Sequence, residues 1–209
     1  MVLDSEKPPV VHGEHGVSQK AEGPGRASHY ISLTRLRSSG RVVVSGKSYN
    51  VTGLSWMDHE FFTHQLTSEQ SGWDWLSLQL NGDAELMLFR LRHKDGSLDR
   101  WSAGTYVDRD GHAVHLAQKD FTLRAQGETW KSDSGAVYPI QWEVIVPALG
   151  IAGQVRTPLK IQEVSGRTKA APRYWEGAVD FNGERSGHAL SGRGYLEMTG
   201  YDRPVDLGP

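Results

Sequence analysis

The chain has 209 residues, of which 23 are basic and 25 acidic, giving a formal net charge of −2. That length supports one well-cored domain with at most a remnant of another, and the scattered, balanced charge offers no basic patch for a nucleic-acid partner. The absence of cysteine excludes disulfides, thiolate metal ligands and a cysteine nucleophile.

The N-terminus, MVLDSEKPPVVHGEHG, has neither a basic n-region nor an apolar h-region, so no signal peptide is expected in this chain. No apolar run approaches the roughly 20 residues of a membrane span, and a soluble protein, cytoplasmic by default, is the expectation. Residues 1–28 are rich in Gly, Pro and charge and read as a linker or an ordered edge segment. From residue 29 the texture changes to short apolar runs separated by turn residues, the pattern of an antiparallel all-β domain over 29–203 with a tail at 204–209.

The predicted strands begin with HYISLTRL at 29–36, GRVVVSG at 40–46 and KSYNVTGLSW at 47–56, the last two joined by a Gly-containing turn. GWDWLSLQL at 72–80 meets AELMLFRLR at 84–92 across Asn81-Gly82-Asp83, the strongest hairpin signal in the chain. Within the first of these, Leu76, Leu78 and Leu80 alternate with Trp75, Ser77 and Gln79, so one face is aliphatic. Asp95-Gly96 and Asp110-Gly111 mark further turns. Later strands fall at FTLRA, YPIQWEVIVPAL, IAGQVRTPL, YWEGAVDFNG and GHALSGRGYLEMTGY. No stretch keeps helical apolar spacing over three turns. Sequential hairpins of this kind predict an up-and-down barrel, a fold that often holds a ligand in its interior. Seven Trp and seven Tyr could fill a core or line such a cavity.

The densest chemistry lies in WMDHEFFTH at 56–64. It resembles the zinc motif H-E-x-x-H with one residue too many. On a helix His59 and His64 stand about 140° apart rather than about 40°, and on a strand they face opposite sides, so no metal is expected there. In a strand Trp56, Asp58 and Glu60 share one face, with the two carboxylates about 7 Å apart. If that face meets an apolar cavity, burial and mutual repulsion would keep one carboxyl protonated as a general acid; if it meets water, the pair is a solvated patch. Trp175 with Glu176, and Tyr195 with Glu197, repeat the pairing of aromatic and carboxylate late in the chain, where barrel strands close on early ones. No G-x-S-x-G elbow or dinucleotide fingerprint is present. His112 and His115 fall on opposite strand faces and read as surface residues.

The succession HYISLTRLRSSGRVVVSGKSYNVTGLSWMDHEFFT, GWDWLSLQLNGDAELMLFRLRHKDGS, YWEGAVDFNG and SGRGYLEMTGY resembles the AttH-like, lipocalin-like family over residues 7–202. That family includes carotenoid 1,2-hydratases (hydroxyneurosporene synthases), predicted secreted hydrolases and fungal pericyclases of the Diels-Alderase type. The resemblance implies a lipocalin-like barrel. Relatives have two such barrels, and residues 7–36 resemble their junction, so the chain is expected to be the second barrel with the tail of the first, and a second barrel is an expected partner. Many relatives are exported.

For the hydratase branch the resemblance implies protonation of an isolated carbon–carbon double bond and capture of the cation by water, without cofactor or metal. The implicated pattern, H-x-aromatic followed by aromatic-x-Asp, falls on His29, Ile31, Trp56 and Asp58, with Ile31 departing from it. Asp58 is then the expected acid, with His29 and Trp56 beside it. Tyr30, Glu60, Trp73, Trp75, Trp175, Glu176 and Tyr195 are the expected contacts to an apolar isoprenoid or polyene. A non-catalytic carrier of a hydrophobic ligand is the alternative.

Overall fold

The computed structural model describes residues 1–62, 66–165 and 173–205. The first sheet contains β1 (Val2–Ser5), β2 (Val10–Val11), β3 (Val17–Gln19), β4 (Ala27–Val44) and β5 (Lys47–Phe62). β4 is its spine: β1, β2 and β3 line one edge and β5 the other, all antiparallel. The runs at 29–36 and 40–46 are thus one long strand. A bulge between Leu33 and Leu36 absorbs the change of face that joining them requires. Ser45 and Gly46, with φ of 48° and 79°, make the tight reversal into β5.

The second sheet starts at β6 (Gln70–Leu80) and continues through β7 (Ala84–His93), β8 (Ala103–Val107), β9 (Ala113–Ala117) and β10 (Thr122–Ala125). A separate hairpin of β11 (Thr129–Lys131) and β12 (Val137–Pro139) precedes β13 (Gln141–Val146), β14 (Ile151–Arg156), β15 (Glu163–Ser165), β16 (Arg173–Arg185) and β17 (His188–Thr199). Its order is β10-β13-β14-β16-β17-β6-β7-β8-β9, with β15 beside β16. The last strand therefore pairs with the first, as in an up-and-down barrel, and the gap falls between β9 and β10. Gly194 permits the closing contact: a Cβ there would sit 1.8 Å from the Ser77 carbonyl oxygen. The chain is all-β, as expected.

Alternation along the strands fills the barrel. Leu76, Leu78 and Leu80 of β6 point inward and meet Trp142, Val144, Trp175, Phe181 and Leu196 in one buried cluster. Each such aliphatic side chain contributes about 1.5–3 kcal/mol by leaving water. Trp142 and Trp175 are completely buried, their indole N–H groups donating to the carbonyls of Pro139 and Lys160 at 2.9 and 2.8 Å. The interior is packed with side chains, which departs from the expectation of a ligand inside the barrel.

The first sheet lies on the barrel's outer face. Lys7 and Arg35 both reach Glu85, which is fully buried, at 2.8 and 2.5 Å. Lys7 Nζ also donates to the carbonyls of Asp83 and Asp108. Gln79 of β6 donates to the carbonyls of Thr34 and Ser55, one on each long strand. The hydrogen-bonded sheets divide between Phe62 and Gln70, because β4 pairs with β1, β2, β3 and β5 and none of these pairs with β6. Residues 1–28, read as linker or edge, supply three edge strands.

Candidate functional site

A cavity of about 440 Å³, open on one side, lies between the two sheets. Lys20, Tyr30, Asp58, Glu60 and Phe62 form one wall; Trp73, Trp75, Phe89, Leu91, Tyr174, Glu176 and Glu197 form the other, with Leu66 from the connecting segment. Strand parity selects these residues. Even-numbered residues of β6 face the barrel core, so Trp73 and Trp75 must face outward. Register then sets Glu197 opposite Trp75 on one side and opposite Glu176 on the other. On the facing sheet Tyr30 is opposite Glu60, and Ser32 is opposite Asp58.

Asp58 is held by three side-chain donors. Tyr30 Oη donates to Oδ2 at 2.8 Å, Trp56 Nε1 donates to Oδ1 at 2.6 Å, and Ser32 Oγ also donates to Oδ1. Behind Ser32, the buried His12 contacts its Oγ at 2.7 Å and Thr105 Oγ1 at 2.8 Å. Burial pushes the His12 imidazole down to about 3, so it is neutral at physiological pH. Asp58 keeps solvent access at the cavity's open side. Surrounding protein nevertheless crowds its carboxyl enough to raise the pKa, against the opposing pull of Ser32, Trp56 and Tyr30.

Three more carboxyls share the cavity. Glu60 is 3.1 Å from Lys20 Nζ, which also lies 3.8 Å from the Phe89 ring centroid. Burial lowers the Lys20 ammonium, with Glu60 pulling the other way. Glu197 accepts from Trp73 Nε1 at 2.7 Å. Burial, with the nearby charges of Glu176, Glu60 and Asp58 adding to it, pushes its carboxyl up to about 7. Tyr195 Oη donates to Glu176 at 3.3 Å, and its own hydroxyl is pushed up to about 12, by burial and then by Glu176.

Of the residues singled out in the sequence, Asp58, Tyr30, Glu60, Trp73, Trp75 and Glu176 line the cavity. Trp56 adjoins it through its bond to Asp58 and an edge contact with Trp75, the ring centroids 6.1 Å apart. Tyr195 reaches it through Glu176. His29 does not: it points away from the barrel and stacks on Phe61, because Tyr30 beside it takes the inward face. Trp175 does not either, since Glu176 faces the cavity and the neighbouring tryptophan must then enter the barrel core. Glu197, noted in the sequence only as the carboxylate paired with Tyr195, lines the cavity as well. Lys20, Ser32 and His12 were not selected from the sequence; Lys20 and His12 sit in Gly- and Pro-rich segments that carry no periodic signal.

His59 faces outward against Phe61, while His64 lies outside the described residues. Asp108, Asp110 and His112 place ligand atoms within 4.8 Å of one another, but on the exposed turn between β8 and β9 rather than at the cavity. Among the described residues, no helix is long and apolar enough to cross a membrane.

The structure is similar to that of an AttH protein from Nitrosomonas europaea, with a TM-score of 0.85 and 34% identity, over 95% of this chain and 60% of that one. It also resembles kievitone hydratase from Nectria haematococca in fold, with a TM-score of 0.76 and 17% identity, over 96% of this chain and 60% of that one. The chain thus spans about 60% of the length of both. No curated protein sequence matches it. The sequence model of the AttH-like family matches residues 1–201, and the chain, a lipocalin-like all-β barrel with a further sheet docked on it, belongs to that family.

Proposed function

We propose that this protein is an acid-catalysed hydratase or cyclase acting on an apolar alkene of isoprenoid or polyene type, with the cavity between the sheets as its active site. The observation that carries this reading is the setting of Asp58: a carboxyl with a raised pKa beside Trp56, Tyr30 and Trp75. Protonating an alkene requires a carboxylic acid kept neutral in a site that limits water. The positive charge that forms on carbon is then stabilised by aromatic faces. In this reading Asp58 gives its proton to one alkene carbon, the cation forms on the more substituted neighbour, and water or an internal double bond captures it. Kievitone hydratase shares the fold, which makes the scaffold compatible with such chemistry.

The organic step needs neither an electron nor a group carrier, so side chains suffice for it. The competing reading is a carrier that holds a hydrophobic ligand without turnover, favoured by the concave apolar wall of Trp73, Phe89 and Leu91. Farnesol incubated with the protein in ¹⁸O-labelled water separates the two: labelled alcohol formed at an alkene carbon marks the enzyme, and binding with unchanged farnesol marks the carrier.

A further inference from the structure

Asp58 and Glu197 stand on opposite walls of one cavity, the first on β5 and the second on the outer face of the barrel. Hydration moves two protons. One is given to carbon, and one must be removed from the water that captures the cation. We propose that Glu197 is the group that removes it, a second catalytic residue working across the cavity from Asp58. This inference rests on the hydratase reading and extends it.

The hydrogen-bonding of the two carboxyls differs in the direction the roles require. Asp58 accepts three side-chain bonds, which stabilise its anion and make it the stronger acid. Glu197 accepts one, from Trp73 to Oε1; among the described residues Oε2 accepts none and is available to a water molecule. Glu197 also faces Glu176 of β16 and Asp58 and Glu60 of β5, while Lys20 is taken up by Glu60. Neighbouring negative charge makes Glu197 the stronger base. The stronger acid thus meets the alkene, and the stronger base meets the water.

The step balances without a further reactant. The Asp58 O–H bond breaks as a C–H bond forms; water oxygen bonds to the neighbouring carbon; and a water proton passes to Glu197. Transfer of that proton back to Asp58, through solvent at the open side, restores both groups. The sum is alkene plus water giving alcohol.

The test is the pH dependence of farnesol hydration in ¹⁸O-labelled water by the wild type, Asp58→Asn, Glu197→Gln and Glu197→Asp. Asp58 must hold its proton while Glu197 is ionised, and Asp58 is the stronger acid, so the working form is a singly protonated state of the pair and the expected wild-type rate falls as pH rises through about 7. Glu197→Gln should lower kcat about a hundredfold and abolish that limb, with a smaller change in KM, whereas Glu197→Asp should retain part of kcat and a shifted limb. Loss of activity in Asp58→Asn with an unchanged rate and limb in Glu197→Gln overturns this inference and leaves the hydratase reading intact. Glu197→Gln in deuterated water should still place deuterium on an alkene carbon of recovered farnesol; loss of that exchange together with hydration makes Glu197 the acid and also overturns the inference. Absence of hydration by the wild type at every pH overturns the reading and the inference together.

Discussion

Trp75 on the barrel donates its indole N–H to Tyr30 Oη on the docked sheet at 2.9 Å. An indole nitrogen is a donor only, so the tyrosine's own proton is left for Asp58, which it reaches at 2.8 Å. One bond between the sheets therefore fixes which way the hydrogen-bond chain at the acid runs. Tyr30→Phe removes a donor that stabilises the Asp58 anion, and the expected outcome is a further rise in the Asp58 titration midpoint, followed by carboxyl ¹³C NMR. The same substitution should cost about 1 kcal/mol of stability in chemical denaturation, since it removes the buried Tyr30 hydroxyl from its bonds to half-buried Trp75 and to Asp58.

Glu197 makes stability depend on pH in a direction opposite to that of an ordinary paired carboxylate. Its folded-state carboxyl is raised from 4.5 to about 7, so between those values the folded protein holds a proton that the unfolded chain has lost. Its contribution therefore falls as pH rises through that window and levels off above it, by an amount on the order of 3 kcal/mol. Glu197→Gln should remove this slope and make the protein more stable than the wild type at about pH 8. Urea titrations at several pH values measure it.

Glu85 ties Lys7 and Arg35 to the barrel in a site closed to water. Removing the carboxylate leaves two buried cations without their counter-charge, and the expected loss for Glu85→Ala is about 3–5 kcal/mol. Because both cations belong to the docked sheet, the early part of the chain should become sensitive to protease before the barrel does. Limited proteolysis with mapping of the first cuts checks this order.

Turn chemistry and alternation made the barrel readable in advance. Asn81-Gly82 and Asp110-Gly111 form tight reversals where expected, and Leu76, Leu78 and Leu80 share the buried face. Half of the cavity was readable in the same way, because Asp58 and Glu60 must share a strand face once β5 is a strand. What sequence spacing does not encode is which sheet covers which face. Trp73 and Trp75 of β6 were read as ligand contacts without a face assigned to them; they lie outside the barrel because the leucines of the same strand already fill its core. Adjacent residues carry the same ambiguity. His29 next to Tyr30, and Trp175 next to Glu176, are separated only by strand parity, which a single bulge such as that between Leu33 and Leu36 resets. Lys20 enters the cavity from the short segment between β3 and β4, where no repeating pattern marks it.

Asp58→Asn tests the central proposal most directly. The side chain keeps its size and its Oδ1 can still accept from Trp56 and Ser32, while an amide N–H group replaces the oxygen that accepted from Tyr30 and no acidic proton remains. Tryptophan fluorescence of Trp56, Trp73 and Trp75 reports farnesol binding while ¹⁸O incorporation reports turnover. The expected result is binding close to that of the wild type with hydration reduced by a factor of about a hundred or more. Equal hydration by Asp58→Asn and wild type would contradict it.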